Sequence, residues 1–451
     1  MNPHFALTVT IIFIIAIFKI DFKKEVKHSY ALWIPLLWMM RSVSKPFSFW
    51  IDPTTSVLTP DMDLVEGDPI DRTIFIVLII LSLIVLSRRK IKWNTIFRNN
   101  IWIIVWFFYC GLSILWSDFP IVSMKRLIKE LGLFLSILVV LTEKDPITSV
   151  ITLIKKFSYI LVPISICLIL YFPLLGMSYS IDTGFVTYAG VAHNKNGLGA
   201  ICLVSSFIFL YSIISTKKIN SISIFNKQTI VYLVYCIISI TLLIKVKSST
   251  PLGALIIGIM IFILMRIKII KENVKILGIA LLCGLVTLII LQVTFNLEEL
   301  FLSSLGREAT LTGRTLLWKD LLSMKINPLI GAGYGNFWLG ERLAIIWETQ
   351  PWRPLQSHNG YLNVYLELGA IGFSLMMTIL YVSYKKIKNM LKINFNYGLF
   401  QFVILIFTLL YNITEDSFGN ISLIWFVYLL VFVDNSQTSK INYSKQENFV
   451  K

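Results

Sequence analysis

The stretch GREATLTGRTLLWKDLLSMKINPLIGAGYGNFW, residues 306–338, is a long polar interruption in a chain that consists otherwise of apolar runs. The next distinctive stretch, SHNGYLNVYLELGAIG at 357–372, opens another such run. Of the 451 residues, 56% are hydrophobic and 15% are charged, with a mean hydropathy of +0.76. Soluble domains are nearer a quarter charged, so the composition predicts an integral membrane protein.

The apolar runs predict an all-α, polytopic membrane domain over residues 1–434 and a short polar tail at 435–451. A membrane span needs roughly 20 apolar residues, which gives about 12–13 transmembrane helices. The first two segments are short, so either is also compatible with an interfacial or re-entrant position. The candidate spans are 5–20, 29–43, 73–87, 101–116, 127–142, 156–174, 196–215, 229–246, 251–267, 275–294, 361–383, 397–413 and 419–434.

The positive charges fall into alternate connections between the spans. The formal net charge is +16, and its lysines and arginines cluster in short loops such as Arg88–Lys92 and Lys385–Lys392. This distribution is typical of cytoplasmic loops and argues against nucleic-acid binding. The remaining loops are therefore predicted to lie outside the cytoplasm: 44–72, 117–126, 175–195, 247–250, 295–360 and 414–418.

The outer loop 295–360 is the longest and can hold a small subdomain. Leu317, Leu321 and Met324 recur at helical spacing and predict a short amphipathic helix at the membrane interface. The segment INPLIGAGYGNF that follows contains one proline and several glycines, which favour turns. It is predicted to form an ordered loop. The five cysteines all lie in apolar runs, so they are interpreted as buried small side chains.

Several polar residues share the outer side and could converge on one cavity. A cationic cavity beside an apolar wall suits a diphosphate attached to a lipid, since arginine binds phosphate through its planar fork and lysine as a point charge. A single arginine near a membrane surface is nevertheless more often only an anchor. The candidate diphosphate ligands are Arg307, Arg126, Lys195 and Lys247, with Arg314 as a catalytic candidate. Supporting candidates are His193, Asn196, Ser249, Asn359, Glu367 and Glu415.

His358 directly precedes the span 361–383, where Ser357 or Asn359 could cap the helix. The positive end of the helix dipole would disfavour an imidazolium there and favour a neutral ring that accepts a proton. The alternative is a histidine that only bonds to the loop. Glu367 lies nine residues further on, which places it on the opposite helix face and roughly 13 Å away along the axis. We therefore expect it to pair with a group from another span, in a structural or a catalytic role.

The ordered set of motifs resembles the bacterial O-antigen ligase and Wzy-type polymerase superfamily. The motifs are LWSDFP at 115–120, GVAHNKNGLG at 190–199, KSSTPLGALIIGI at 247–259, and the two stretches quoted at the outset. The segment ALWIPLLWMMRSVSKPFSFW, residues 31–50, further resembles the exopolysaccharide-polymerase (ExoQ-like) branch. The resemblance extends from Ala31 to about Glu415.

The resemblance implies a GT-C-like fold and a metal-independent, inverting glycosyltransferase without a cofactor. It implies transfer of a glycan from an undecaprenyl-diphosphate carrier to an acceptor sugar or lipid, at the outer face of the bacterial cytoplasmic membrane. His358 would then activate the acceptor hydroxyl, and Arg314 or Arg307 would hold the leaving diphosphate. Other membrane proteins of polysaccharide assembly are possible partners.

One departure from the family pattern concerns the tight outer turn at 247–250. Many ligases carry an arginine there, whereas this chain has Lys247-Ser248-Ser249-Thr250. The difference favours a polymerase of surface polysaccharide repeat units, such as O-antigen or exopolysaccharide, over a ligase that moves the finished glycan. A flippase of lipid-linked sugars is the alternative from another class. Transporters favour internal repeats and ionisable groups at mid-membrane.

Overall fold

The computed structural model describes residues 2–21, 29–52, 67–179, 186–216, 227–267, 311–350 and 352–434. Two predicted features lie outside these ranges, namely the span 275–294 and the tail 435–451. Arg307 and Cys283 lie outside them as well.

The described chain is built from helices with short connections. They are α1 (Pro3–Asp21), α2 (Trp33–Arg41), α3 (Phe47–Ile51), α4 (Pro69–Ser87), α5 (Trp93–Asn99), α6 (Ile101–Leu112), α7 (Pro120–Leu141), α8 (Pro146–Tyr171), α9 (Pro173–Gly176), α10 (Lys195–Thr216), α11 (Lys227–Val246), α12 (Ser249–Leu264), α13 (Leu311–Ser323), α14 (Gly340–Thr349), α15 (Gly360–Ile393), α16 (Phe395–Thr414) and α17 (Leu423–Phe432). Single 3₁₀ turns stand at Tyr30–Leu32 and Ser113–Trp116.

The predicted all-α polytopic membrane architecture is confirmed. Among the described residues, 7 helices are long and apolar enough to cross a membrane, or 8 if the bent pair α5–α6 counts as one span. In α1 only 11% of the most apolar window is buried, so its hydrophobic side chains face outward. Such an apolar surface is stable in lipid and not in water. Every predicted span that lies within the described residues overlaps a helix.

The second predicted span, 29–43, contains only a short helix. Its helical part is the 3₁₀ turn followed by α2, which has 9 residues. At 1.5 Å per residue α2 alone is shorter than the apolar core of a bilayer, in line with the short length that left this segment open as a span or an interfacial helix. The outer connection 175–195 also holds a short antiparallel hairpin, in which Met177–Tyr179 (β1) pairs with Val186–Tyr188 (β2). These strands are the small exception to the all-α description.

The predicted helix around Leu317 is present as α13, and its apolar face packs on protein. Leu317 and Leu321 are fully buried against Phe337 and Ile346, with Met324 at the edge of the same cluster. This cluster joins α13, α14 and the loop between them into one compact unit. The short helix is therefore present as predicted, and Leu317 and Leu321 cover a small hydrophobic core, while its position at the membrane interface stays a prediction.

The predicted ordered loop packs against a break in the long helix α15. Gly369 has φ 64° and ψ −165°, so the helix is interrupted there. The loop supplies the missing hydrogen bonds, since the Ala332 and Gly333 amides donate to the carbonyls of Leu366 and Glu367. The amides of Ala370 and Ile371 donate back to loop carbonyls. A broken helix inside a membrane requires such replacement partners.

Contacts among the connections sort them into two groups. The loops at 44, 118, 192, 248 and 415 are linked by bonds such as Ser44 with Ala192, Asp118 with Asn336 and Ser248 with Asn196. At the opposite end, Lys386 bonds to Asn100 and to Asp434, and Arg89 pairs with Glu143. The two groups are those that the charge pattern assigns to opposite sides of the membrane.

Candidate functional site

Glu415, just after α16, is the centre of a polar cluster at one end of the bundle. Its side chain is 6% exposed, and its two oxygens face different partners. Oε2 lies 3.4 Å from His358 Nδ1, and Oε1 lies 3.4 Å from an Arg314 guanidinium nitrogen. One carboxylate therefore joins the two residues that the sequence nominates as catalytic. We call this group, with Asn196 and Ser248, the Glu415 cluster.

Asn196, at the start of α10, is the third side chain that contacts Glu415. Asn196 donates from its amide nitrogen to Glu415 Oε1 at 2.6 Å. The Asn196 carbonyl oxygen in turn accepts from the Ser248 hydroxyl at 2.9 Å. Ser248 thus fixes the orientation of the amide, because only its oxygen can accept this bond. Three other chain segments thus contact the Glu415 carboxylate, and Ser248 joins the cluster through Asn196.

The backbone fixes both Arg314 and Glu415. Arg314 donates to the Thr414 carbonyl at 2.8 Å, which ties α13 to the end of α16. The Gly360 amide donates to the Glu415 carbonyl at 3.0 Å, which ties the start of α15 to the same point. Arg314 is 23% exposed and His358 is 18% exposed. Both retain a face that is open to an incoming molecule.

His358 has a backbone conformation that only its surroundings can maintain. Its φ is 50°, in the left-handed region, where residues other than glycine are strained. The next residue, Asn359, caps α15 by accepting from the Leu362 amide at 3.0 Å, as predicted. The imidazole ring lies 5.5 Å from the Trp352 ring, centroid to centroid. The ring is therefore held between an indole and a carboxylate.

The prediction of a neutral imidazole rests on the helix end alone. The structure adds the Glu415 carboxylate. Asn359 satisfies a free amide at the helix start, and Glu415 lies beside the ring. Two groups lie near Nδ1, namely Glu415 Oε2 at 3.4 Å and the Gln356 side-chain nitrogen at 3.5 Å. If Nδ1–H points at Glu415, the ring presents Nε2 as the proton acceptor. The separation of 3.4 Å is longer than a strong hydrogen bond and suits a contact that tightens when substrate binds.

Arg126 and Glu367 form a separate buried group. Glu367 accepts from the Gly335 amide at 2.9 Å and from Asn363 of its own helix at 3.3 Å. Arg126, from α7, donates to the Gly335 carbonyl and is electrostatically coupled to Glu367. Both side chains thus hold the ordered loop in place. Glu367 finds partners on other elements, as its helix position predicted, and it stands apart from His358.

The other nominated residues are distributed around the Glu415 cluster. Lys195 begins α10 beside Asn196, and Lys247 is exposed in the tight turn with φ 54°. Ser249 is exposed at the start of α12, so Ser248 rather than Ser249 enters the cluster. His193 is exposed and faces a different set of charges, which includes Arg41 and Lys45.

In the sequence Glu415 is a supporting candidate only, and Lys129, Arg41, Lys45 and Asp71 are not among the candidates. The sequence does indicate Lys129, because a cation inside the predicted span 127–142 is a functional candidate. The pairing of Glu415 with His358 had no local signal, since it depends on how α15 and α16 pack.

The comparisons with known proteins agree with the motif resemblance. Residues 234–377 match the family model described as O-antigen ligase, a range that includes Arg314 and His358. Over 312 residues the chain is 22% identical to "Exopolysaccharide production protein ExoQ" of Rhizobium meliloti, covering 67% of this chain and 68% of that protein. Over 262 residues it is 24% identical to "Putative polysaccharide ligase" of Rickettsia typhi, covering 54% and 60% respectively. The predicted resemblance to the O-antigen ligase and ExoQ-like superfamily is confirmed.

Proposed function

We propose that the protein is a membrane glycosyltransferase that polymerises the repeat units of a surface polysaccharide from undecaprenyl-diphosphate-linked donors. The observation that carries this proposal is the Glu415 cluster, in which one buried carboxylate contacts both His358 and Arg314. A base for the acceptor hydroxyl, a carboxylate that orients the base and a cation that stabilises the leaving diphosphate are the parts that this reaction needs. The partial matches to polysaccharide proteins support the same class.

In the proposed reaction, His358 Nε2 takes the proton of the acceptor hydroxyl while that oxygen attacks the anomeric carbon of the donor. The bond from this carbon to the diphosphate oxygen breaks, and the diphosphate leaves with the electron pair. Attack from the side opposite the leaving group inverts the anomeric configuration. Glu415 holds the ring and stabilises the imidazolium that forms, as a carboxylate does beside a catalytic histidine.

Arg314 is the proposed partner of the leaving diphosphate. Two of its nitrogens are engaged by Thr414 and Glu415, and a guanidinium has five N–H donors in total. Its remaining N–H groups can donate to the phosphate oxygens of the leaving group. They would stabilise the negative charge that develops there, as a metal ion does in other enzymes. Lys195, Lys247 and Arg307 are proposed as further cations around the same group. No cofactor is required for this chemistry.

The proposed location is the cytoplasmic membrane of a bacterium, with the Glu415 cluster on the outer face. Its support is the charge pattern, which places the lysine-rich loops inside. The donor would enter with its isoprenoid tail in the bilayer and its diphosphate at the level of the cluster. The proposed partners are the lipid-linked donor, a glycan or lipid-linked acceptor and other polysaccharide-assembly proteins.

His358→Ala tests the base. The variant should insert and purify normally, and polymer formation from lipid-linked repeat units should fall by about 10²–10⁴-fold, the usual contribution of a general base. Polymer length and rate are measured in proteoliposomes that contain the purified protein. The matched control is His4→Ala, a histidine near the start of α1. Full-length polymer at the normal rate from His358→Ala would exclude the proposed role.

The ligase is a second candidate, because one relative carries the name of a polysaccharide ligase. The two functions differ in what accumulates on the lipid carrier of a deletion strain. Loss of a polymerase leaves single repeat units on the carrier, whereas loss of a ligase leaves long chains there. A flippase needs no general base, so normal transport by His358→Ala together with absent transferase activity in the parent protein would favour that class.

A further inference from the structure

A second group of cations lies beside the Glu415 cluster at the same end of the molecule. It consists of Arg41, Lys45, Lys129 and His193, which we call the basic patch. The charges of the described residues that act most strongly on His193 are those of Arg41, Lys45 and Lys129 and the carboxylate of Asp71. Among these nearest charges, three cations face one anion even when the imidazole is neutral. Such an excess of positive charge is stabilised when an anion binds.

The basic patch is built by backbone pairing between distant segments. Ser44 and Ala192 form an antiparallel bridge, and the Lys45 amide donates to the Val191 carbonyl at 3.1 Å. This pairing brings the end of α2 against the loop that carries His193. Lys45 is itself buried, and its ammonium donates to the Leu175 carbonyl at 2.7 Å. The positions of these groups are thus fixed by secondary structure and not by loose side chains.

Arg41 forms an ion pair with Asp71, whereas Lys129 forms no ion pair with a carboxylate among the described residues. Arg41 Nε donates to Asp71 Oδ1 at 2.7 Å, and a second guanidinium nitrogen pairs with the other oxygen. The Lys129 ammonium lies 4.3 Å from the centre of the Phe75 ring. Within the described residues this cation–π contact is its one direct interaction. An ammonium that has an aromatic ring on one side can still donate its hydrogens to an anion.

The other charges near Lys129 do not neutralise the basic patch. Lys129 is coupled to Arg41, Asp71, Arg126 and Glu130. Glu130 is buried and accepts from the Trp425 indole at 2.5 Å, while Arg126 adds a further positive charge. Asp71 is already engaged by Arg41. Among the described residues, the cation of this group without an ion-pair partner is therefore Lys129.

The basic patch and the Glu415 cluster are neighbours along the chain and in space. His193 belongs to the first and Asn196 to the second, and only three positions separate them at the start of α10. One ligand with two polar ends, or two ligands side by side, would contact both groups. A polymerase of lipid-linked units has that requirement, because its donor and its acceptor each carry a diphosphate on a lipid.

We propose that the basic patch binds the diphosphate of the lipid-linked acceptor, while the Glu415 cluster engages that of the donor. This inference rests on the proposed polymerase function. It predicts two diphosphate sites on one chain, at one end of the bundle. A ligase whose acceptor lacks a diphosphate would have no use for the second site. The same phosphate chemistry is offered by phospholipid headgroups, so the test must separate the two sources.

The test uses the full-length His358→Ala protein in nanodiscs, which does not turn over, titrated with undecaprenyl diphosphate. We expect two bound molecules per chain. Lys129→Gln in this background should weaken one site by about 10- to 100-fold, the effect of losing a hydrogen bond between charged groups. Lys129→Arg should restore it. Lys125→Gln is the matched control, since Lys125 lies one turn earlier on α7 and is exposed.

The titration is repeated in nanodiscs of purely zwitterionic lipid and in nanodiscs that contain anionic phospholipid. If the second site is seen only when anionic phospholipid is absent and is filled by it otherwise, the basic patch is a headgroup site and the proposal is wrong. A single site that Lys129→Gln leaves unchanged would also overturn it. The proposed polymerase function is tested separately. It fails if the parent protein transfers no glycan, or if His358→Ala transfers it at the same rate.

Discussion

At the residue scale, Glu415 is proposed as a positioning residue that acts through His358. Its carboxylate contacts the Nδ1 side of the ring and the Arg314 guanidinium, so it controls both the proton acceptor and the cation. Glu415→Gln keeps the size and removes the charge. We expect a fall in kcat of about 10²-fold or more, by analogy with the carboxylate of a serine-protease triad. The KM for the acceptor should change little.

The kinetic pattern separates this role from a structural one. If Glu415→Gln only misfolded the cluster, less of the protein would be active. The pH dependence of the active fraction would then be unchanged. Loss of the carboxylate should shift the pH–rate profile of kcat, because the imidazolium loses its stabilising partner. Asp118→Asn is the control, since Asp118 is a carboxylate at the same end that pairs with Arg342 at 2.5 Å. An unchanged profile in Glu415→Gln would contradict the assignment.

The neighbouring carboxyl, Asp416, gives a prediction about stability. Burial raises its pKa well above the usual 3.8, and the charges of Glu367 and Glu415 act in the same direction, while Asn420 opposes them. Its Oδ1 atom is buried without a hydrogen-bond partner among the described residues, although the residue as a whole is partly exposed. An acid whose pKa is raised in the folded state stabilises fully below its unfolded pKa. That stabilisation is lost as the pH rises through the folded value.

Asp416→Asn should therefore become more stable relative to the parent protein as the pH is raised from about 4. Melting temperatures in detergent across the pH range provide the measurement. Asp118→Asn supplies a contrast of opposite sign, because the hydrogen bond from Arg342 lowers the pKa of Asp118. Its variant should lose stability at neutral pH and approach the parent in acid. Parallel pH curves for Asp416→Asn and the parent would refute the argument.

At the scale of elements, the break in α15 depends on a residue without a side chain. Gly369 has φ 64°, and a Cβ atom there would lie 2.3 Å from the carbonyl of Leu329. Gly369→Ala must therefore displace the ordered loop, at a cost of about 1–3 kcal/mol for the strained backbone alone. We expect a lower melting temperature and a loss of transfer activity, because the loop also carries Gly335, the partner of Arg126 and Glu367.

Gly253→Ala is the matched control for this substitution. Gly253 lies inside α12, and a Cβ atom there would meet nothing within 4 Å. Alanine is the better helix former by up to about 1 kcal/mol, so this variant should be as stable as the parent or more so. Equal melting temperatures for the two alanine variants would show that the break at Gly369 is not essential.

The elements were predictable to the extent that they depend on local sequence. Apolar runs of sufficient length gave the spanning helices, and the spacing of Leu317 and Leu321 gave α13. The segment 29–43 is short in sequence, and its helix α2 is shorter still, since it ends at Arg41. The end of α15 was placed too early. The helix runs on to Ile393 through Lys385 and Lys388, which hydropathy alone assigns to a loop.

At the scale of the whole molecule, the site could be predicted as a set of loops but not as a set of contacts. Sequence placed Arg126, Arg314, His358 and Glu415 on one side, and the contacts between these connections agree with that grouping. It could not separate the buried group around Arg126 from the Glu415 cluster, because both depend on tertiary packing. The basic patch is not predictable for the same reason, since Arg41 and Lys129 come together only in the packed fold, over the Phe75 ring.

The grouping of the loops leads to a test of orientation. Glu341 is exposed at the start of α14, at the end that carries the Glu415 cluster, and Lys388 is partly exposed at the opposite end. The lysine-rich end should face the cytoplasm. In a background in which the five native cysteines are replaced, Glu341→Cys should react in intact cells with a membrane-impermeant maleimide. Lys388→Cys should react only after the membrane is opened. The reverse pattern would place the Glu415 cluster in the cytoplasm, where a donor presented at the outer face could not reach His358, and the polymerase proposal would fail with it.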